Sequence, residues 1–118
     1  MRMIGLIGGM SWESTAAYYR ILNTEAQRRL GSLHSANVLI HSFDFARIEA
    51  LQAAGEWDEL GRILSAAARG LEAAGAGLLL ICANTMHLVA DSVAGAVSVP
   101  LLHIADAASP EAVDLFPP

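Results

Sequence analysis

Apolar and polar positions change period along this chain in a regular way. Met3 to Ile7 is a short apolar run ending in Gly8-Gly9, after which Thr15, Tyr18, Tyr19, Leu22, Ala26 and Leu30 recur at helical spacing. This predicts a strand, a tight glycine turn and a helix. Ser11 suits the N-cap, Arg28 and Arg29 suit the last turn, and Gly31 suits the stop. A second strand is expected over Asn37 to His41, followed by Ser42-Phe43-Asp44-Phe45 and a short helix from Arg47 to Ala53. Past Gly55-Glu56, the positions Trp57, Leu60, Leu64, Ala67, Leu71 and Ala74 make one apolar face that stops at Gly75. Trp57 is read as core.

Gly77 to His87 is the stretch around which the rest is organised. Leu78 to Cys82 is a continuous apolar run, as expected of a strand covered on both faces in a parallel sheet. Asn84 and Thr85 then suit the start of a helix running from about Met86 to Ala94, whose free N–H groups would attract a carboxylate or phosphate. A last strand is expected over Val99 to Ile104. The order βαβαβαβ predicts an α/β, three-layer Rossmann-like domain with a four-stranded parallel sheet in order 2-1-3-4. Its turns after Ile7, His41 and Ala83 share one edge. The domain is expected over residues 1–108, with an irregular tail at 109–118.

Composition narrows the function. The chain has 118 residues, 54% hydrophobic and only 16% charged, which suits one domain with much surface to bury. A net charge of −5 with no basic cluster argues against nucleic acid and against an acidic membrane surface. No apolar run approaches the roughly 18 residues that span a bilayer. One cysteine excludes an internal disulfide, and Met1-Arg2-Met3 leads into a strand rather than a signal segment, so a cytoplasmic location is expected. All seven basic residues are arginine, so no side chain can hold pyridoxal phosphate as a Schiff base. No cofactor and no metal are expected. Gly5-x-x-Gly8-Gly9 also departs from the dinucleotide fingerprint.

Several residues carry two readings. Asp44 is a ligand contact or the cap of a short helix. His87 and His103 are structural hydrogen-bonding groups or face a cleft. Cys82 is a buried, inert thiol, or a thiolate whose pKa is lowered by the adjacent helix start.

The stretches Ile4-Gly5-Leu6-Ile7-Gly8-Gly9-Met10-Ser11-Trp12-Glu13-Ser14-Thr15, Gly55-Glu56-Trp57-Asp58, Asn84-Thr85-Met86-His87 and His103-Ile104-Ala105-Asp106 resemble the aspartate/glutamate racemase family. The branch with broad-specificity amino-acid racemases is the most similar. The resemblance implies a pyridoxal-independent racemase or epimerase of aspartate, glutamate or related amino acids, built from two similar α/β halves with the site between them. Only the N-terminal half is matched here. It further implies a two-base mechanism, in which one residue removes the α-proton and another returns it from the opposite face.

In much of that family both bases are cysteines, the first immediately before the Asn-Thr pair. That position is Ala83, which has no proton to exchange; Cys82 lies one residue earlier, on the other face of a strand. A similar Cys-x-Asn-Thr arrangement occurs in the branch, often with threonine at x. By the same resemblance Met10 and Ser11 match the turn that encloses substrate, Gln52 matches a polar substrate contact, and Asn84 with Thr85 match the carboxylate-holding turn. The implied partners are a small amino-acid substrate and either a second copy, as a homodimer, or a second racemase-like half. The chain alone is expected to be inactive. The alternative is a non-catalytic α/β binding or interaction module that keeps only the anion-binding turn.

Overall fold

The structure is a computed structural model that describes residues 2–82 and 87–102, with residues 87 and 88 described as backbone only. Its elements are β1 (Ile4–Gly8), α1 (Trp12–Leu30), β2 (Val38–Ser42), α2 (Phe45–Ala53), α3 (Trp57–Ala73), β3 (Leu78–Ile81), α4 (His87–Ala96) and β4 (Leu101–Leu102). The sheet is parallel throughout, in the order β2-β1-β3-β4. The expected architecture is the one found. Ile7 stands opposite His41 on one side and Ile81 on the other, so the carboxyl ends of three strands lie level at one edge.

Side-chain alternation divides the core into two layers. Ile4 and Leu6 of β1, Leu78 and Leu80 of β3, Cys82 and Leu102 form one cluster with Leu22 and Ala26 of α1. Ile7, Leu79 and Ile81 belong to the other, with Ile48 of α2, Leu60, Leu64, Ala68 and Leu71 of α3, and Val89, Ala90 and Val93 of α4. The central strands are buried on both faces, which is why they read as unbroken apolar runs. Burial of a side chain such as Leu64 contributes about 1.5–3 kcal/mol.

Polar contacts tie the helices to the strand approaches. Asn23 Oδ1 accepts from the Ala36 N–H at 2.9 Å, linking α1 to the approach to β2. The Glu72 carboxylate accepts from the Ser98 N–H at 2.8 Å, the Ser98 hydroxyl at 2.7 Å and the Val99 N–H at 3.1 Å, guiding the chain from α4 into β4. Those hydrogen bonds from Ser98 hold its pKa down. On the solvent face of α1, hydrogen bonds from Arg28 and Arg29 hold the Glu25 carboxyl at about 2.

One part of the expected α1 stripe is corrected. Thr15, Leu22 and Ala26 are buried and Tyr18 packs against their cluster, but Tyr19 is 47% exposed. Consecutive helical residues point about 100° apart, so Tyr18 and Tyr19 cannot both face a sheet. Tyr18 takes the inward place at a cost: its hydroxyl is buried with no hydrogen-bond partner among the described residues. Burial, with Cys82 adding to it, pushes the phenol up to about 12. Tyr18→Phe is therefore expected to leave thermal stability unchanged or raised, because it removes an unsatisfied buried group. A fall of more than about 1 kcal/mol in a urea melt would show instead that the hydroxyl has a partner.

Candidate functional site

The sheet order places a switch point between β1 and β3. From β1 the chain crosses over α1 to β2 on one side; from β2 it crosses over α3 to β3 on the other side of β1. The helix after β1, α1, therefore packs on one face of the sheet and the helix after β3, α4, on the other. In open α/β sheets the crevice that forms at such a point, outside the carboxyl ends of the strands, is where ligands bind. The Cys82 N–H donates to the Ile7 C=O at 2.9 Å, so β3 is held against β1 up to the point where both strands end.

The β1–α1 turn is held tightly. Gly9 has φ +83°, and a Cβ there would lie 2.2 Å from the Phe43 carbonyl oxygen and 2.3 Å from its nitrogen. The Phe43 N–H donates to the Gly8 C=O at 2.9 Å, which locks this turn to the loop after β2. On the other side the Gly9 N–H donates to Thr15 Oγ1 at 2.9 Å in a buried setting. Met10 is buried in the same cluster as Ile48, Leu60 and Leu64, anchoring the turn from below. Ser11 is exposed, with φ 77° and ψ 96°, the one non-glycine residue with positive φ among those described. It stands at the N-cap position expected of it, but its side chain makes no cap bond.

Of the other expected site residues, Gln52 is half-buried in the last turn of α2. Asp44 caps α2, its Oδ1 accepting from the Ala46 N–H at 3.2 Å, so the cap reading describes it. Ala83, Asn84 and Thr85 lie outside the described residues, as does His103, and the side chain of His87 is not described. The described ends of β1 and β3 lie side by side, so the Met10–Ser11 turn begins next to the end of β3 at Cys82.

Cys82 is fully buried beneath α1, in the cluster of Leu22, Ala26 and Leu80. Alternation from Leu78 and Leu80 carries it to that face, away from the α3 side. Burial pushes its thiol up to about 12, so it is a neutral S–H at ordinary pH. Trp57, the expected core residue, is half-buried at the edge of the α3–α4 layer. It lines a groove with Asp58, Arg62, Arg69 and Ser92 that contains none of the expected site residues. Among the described residues no cluster of His, Cys, Asp and Glu could hold a metal ion, and no helix is long and apolar enough to cross a membrane.

Thr15 is the site residue that sequence reasoning missed. Its helical spacing marked it as one more buried position, and only its odd polarity in an apolar stripe signalled a hydrogen-bonding task.

The chain is similar to solved structures over nearly its whole length. A crystal structure from Yersinia pestis, assigned by its description to the Asp/Glu racemases, is 53% identical with a TM-score of 0.87, over 91% of this chain and 46% of that one. An aspartate racemase homologue from Pyrococcus horikoshii OT3 is 38% identical with a TM-score of 0.77, over 96% of this chain and 49% of that one. The chain thus spans about half the length of these relatives, matching their N-terminal part. Residues 7–116 match the Asp/Glu/hydantoin racemase family, which takes in every strand from the end of β1 onward as well as the turn at Met10–Ser11. On sequence and fold alike, this chain belongs to the Asp/Glu/hydantoin racemase family.

Proposed function

We propose that this chain forms one half of a cofactor-independent racemase site for aspartate, glutamate or a related amino acid. The observation that carries the reading is that the Met10–Ser11 turn leaves β1 beside the end of β3 at Cys82, at the β1/β3 switch point. In this reading Asn84 and Thr85 hold the substrate α-carboxylate by backbone N–H groups, aided by the start of α4. Met10 and Ser11 close the crevice from the β1 side, and Gln52 supplies a polar contact.

Racemisation needs a base on one face of the α-carbon and an acid on the other. This chain supplies neither at Ala83, since a methyl group exchanges no proton. The depth of Cys82 and its raised pKa support a packing role for that thiol rather than that of the base. A second α/β half is proposed to bring the proton-transfer group that these residues lack. Loss of a positioned proton-transfer group costs about 10² to 10⁴ in rate. The chain alone is therefore a binding half-site.

Two measurements test this. Titration of the ¹⁵N-labelled chain with aspartate and with glutamate is expected to move the amide signals of Ser11, Asn84 and Thr85. Unmoved signals under high millimolar ligand would sink the binding claim. In D₂O the α-proton of either acid is expected to persist in the presence of the chain. Exchange at an enzyme-like rate would show that these residues hold a working base.

A further inference from the structure

We propose that Thr15 is a positioning residue of this site: its hydroxyl holds the turn that turns Ser11 away from capping α1 and out toward the crevice. The inference rests on the reading of the β1/β3 crevice as an amino-acid site, and it assigns a task to a residue that contacts no substrate.

Ser11 is in an expensive conformation. A non-glycine residue with φ near 77° is strained, and such strain persists only where the surroundings impose it. A serine beginning a helix ordinarily takes extended φ and ψ and bonds its own hydroxyl to the helix N–H groups. Ser11 does neither. Its carbonyl accepts from the N–H groups of Ser14 at 3.1 Å and Thr15 at 3.4 Å, so the helix begins normally, yet the side chain stays exposed and makes no cap bond.

What imposes this is the grip on the two preceding glycines. Thr15 sits one turn into α1, 5% exposed, and accepts the Gly9 N–H at 2.9 Å. Gly8 leaves the room: a Cβ there would lie 2.4 Å from Thr15 Oγ1. Gly9 is meanwhile pressed against the Phe43 backbone. The Gly9 peptide is thus fixed on two sides and Met10 is buried in the core, and the chain passes from there into α1 through a residue of positive φ. Ser11 is that residue. Without the Thr15 hydroxyl the Gly9 N–H loses its buried partner, and the turn can relax to an ordinary serine cap.

The test compares Thr15→Val, which keeps the shape and removes the acceptor, with Thr15→Ser, which keeps the acceptor. In Thr15→Val the Gly9 amide is expected to exchange with solvent at least about tenfold faster, the Ser11 amide signal to move, and aspartate to bind about tenfold more weakly. Thr15→Ser is expected to restore slow exchange and affinity. Wild-type Gly9 protection in Thr15→Val, or equal weakening of binding in both variants, would overturn the proposal.

If the wild-type chain shows no response to aspartate, the amino-acid reading fails, and Gly9 exchange with the Ser11 signal decides the role of Thr15. Ser11→Gly keeps the test alive should Thr15→Val fail to fold. It relieves the strain, so its melting temperature is expected to rise by a few degrees. An unchanged or lower value would show that Ser11 is not held against its preference.

Discussion

Gly9→Ala is expected to destabilise the domain by about 3–5 kcal/mol, a large part of the stability of a fold this size. Two effects add. A left-handed φ of +83° costs an alanine about 1 kcal/mol or somewhat more. The new Cβ also meets the Phe43 backbone at 2.2 Å, where no rotamer change gives relief, so β2 and its loop must move off β1. Gly55→Ala separates the two effects. Gly55 has φ +71°, yet nothing lies within 4 Å of a Cβ built there. Its substitution is expected to cost only about 1 kcal/mol. Urea melts of the two variants measure the difference, and equal losses would show that the turn is not clamped against Phe43.

The second large effect is alkaline destabilisation through Cys82. Its folded pKa is raised from an ordinary 9.0 to about 12, so the unfolded chain releases this proton first as pH rises. The stabilising contribution is fully present below pH 9 and is lost as pH climbs toward about 12. Within that window each pH unit removes up to about 1.4 kcal/mol. Tyr18, raised from 10.0 to about 12, acts in the same direction over the upper part of the range. Melts at pH 8 and pH 10.5 are expected to differ strongly for the wild type and clearly less for Cys82→Ala, despite the lower starting stability of that variant. Matching pH dependence in both chains would mean that the thiol is not the group responsible. The same burial predicts that iodoacetamide labels Cys82 in urea and hardly at all in the native state at pH 8. A thiol serving as base in an open crevice would label readily when folded.

These two residues show how the fold and the site divide the chain between them. Gly9 and Cys82 each lie at the carboxyl end of a central strand, one residue past Gly8 and Ile81. Gly9 serves the turn, and Cys82 the core. In the half-site proposed above, that division leaves both central strands ending in packed layers, with the turn after β1 left to shape the crevice.

The amino-acid sequence by itself determined the elements and their order. Apolar runs at β1 and β3 flanked by helical stripes leave few arrangements other than a parallel sheet with crossovers, since each stripe must bury itself on a strand layer. Gly31 after α1, the α3 face ending near Gly75 and the family motifs around Met10–Ser11 were legible for the same local reasons. Helix boundaries moved by a residue or two, as at α2, where the Asp44 cap brings Phe45 and Ala46 into the helix.

Tertiary structure alone decided the rest. Which of Tyr18 and Tyr19 faces inward depends on where α1 crosses the sheet, not on their spacing. That Cys82 shares a face with Leu78 and Leu80 was legible from alternation, but that α1 covers that face, and with it the raised pKa, was decided by the tertiary structure. The left-handed Ser11 is the clearest case, because serine prefers the opposite conformation at a helix start. In the proposed account the grip of Thr15 and the buried Met10 beside it, joined by Phe43 from the loop after β2, outweighs that preference.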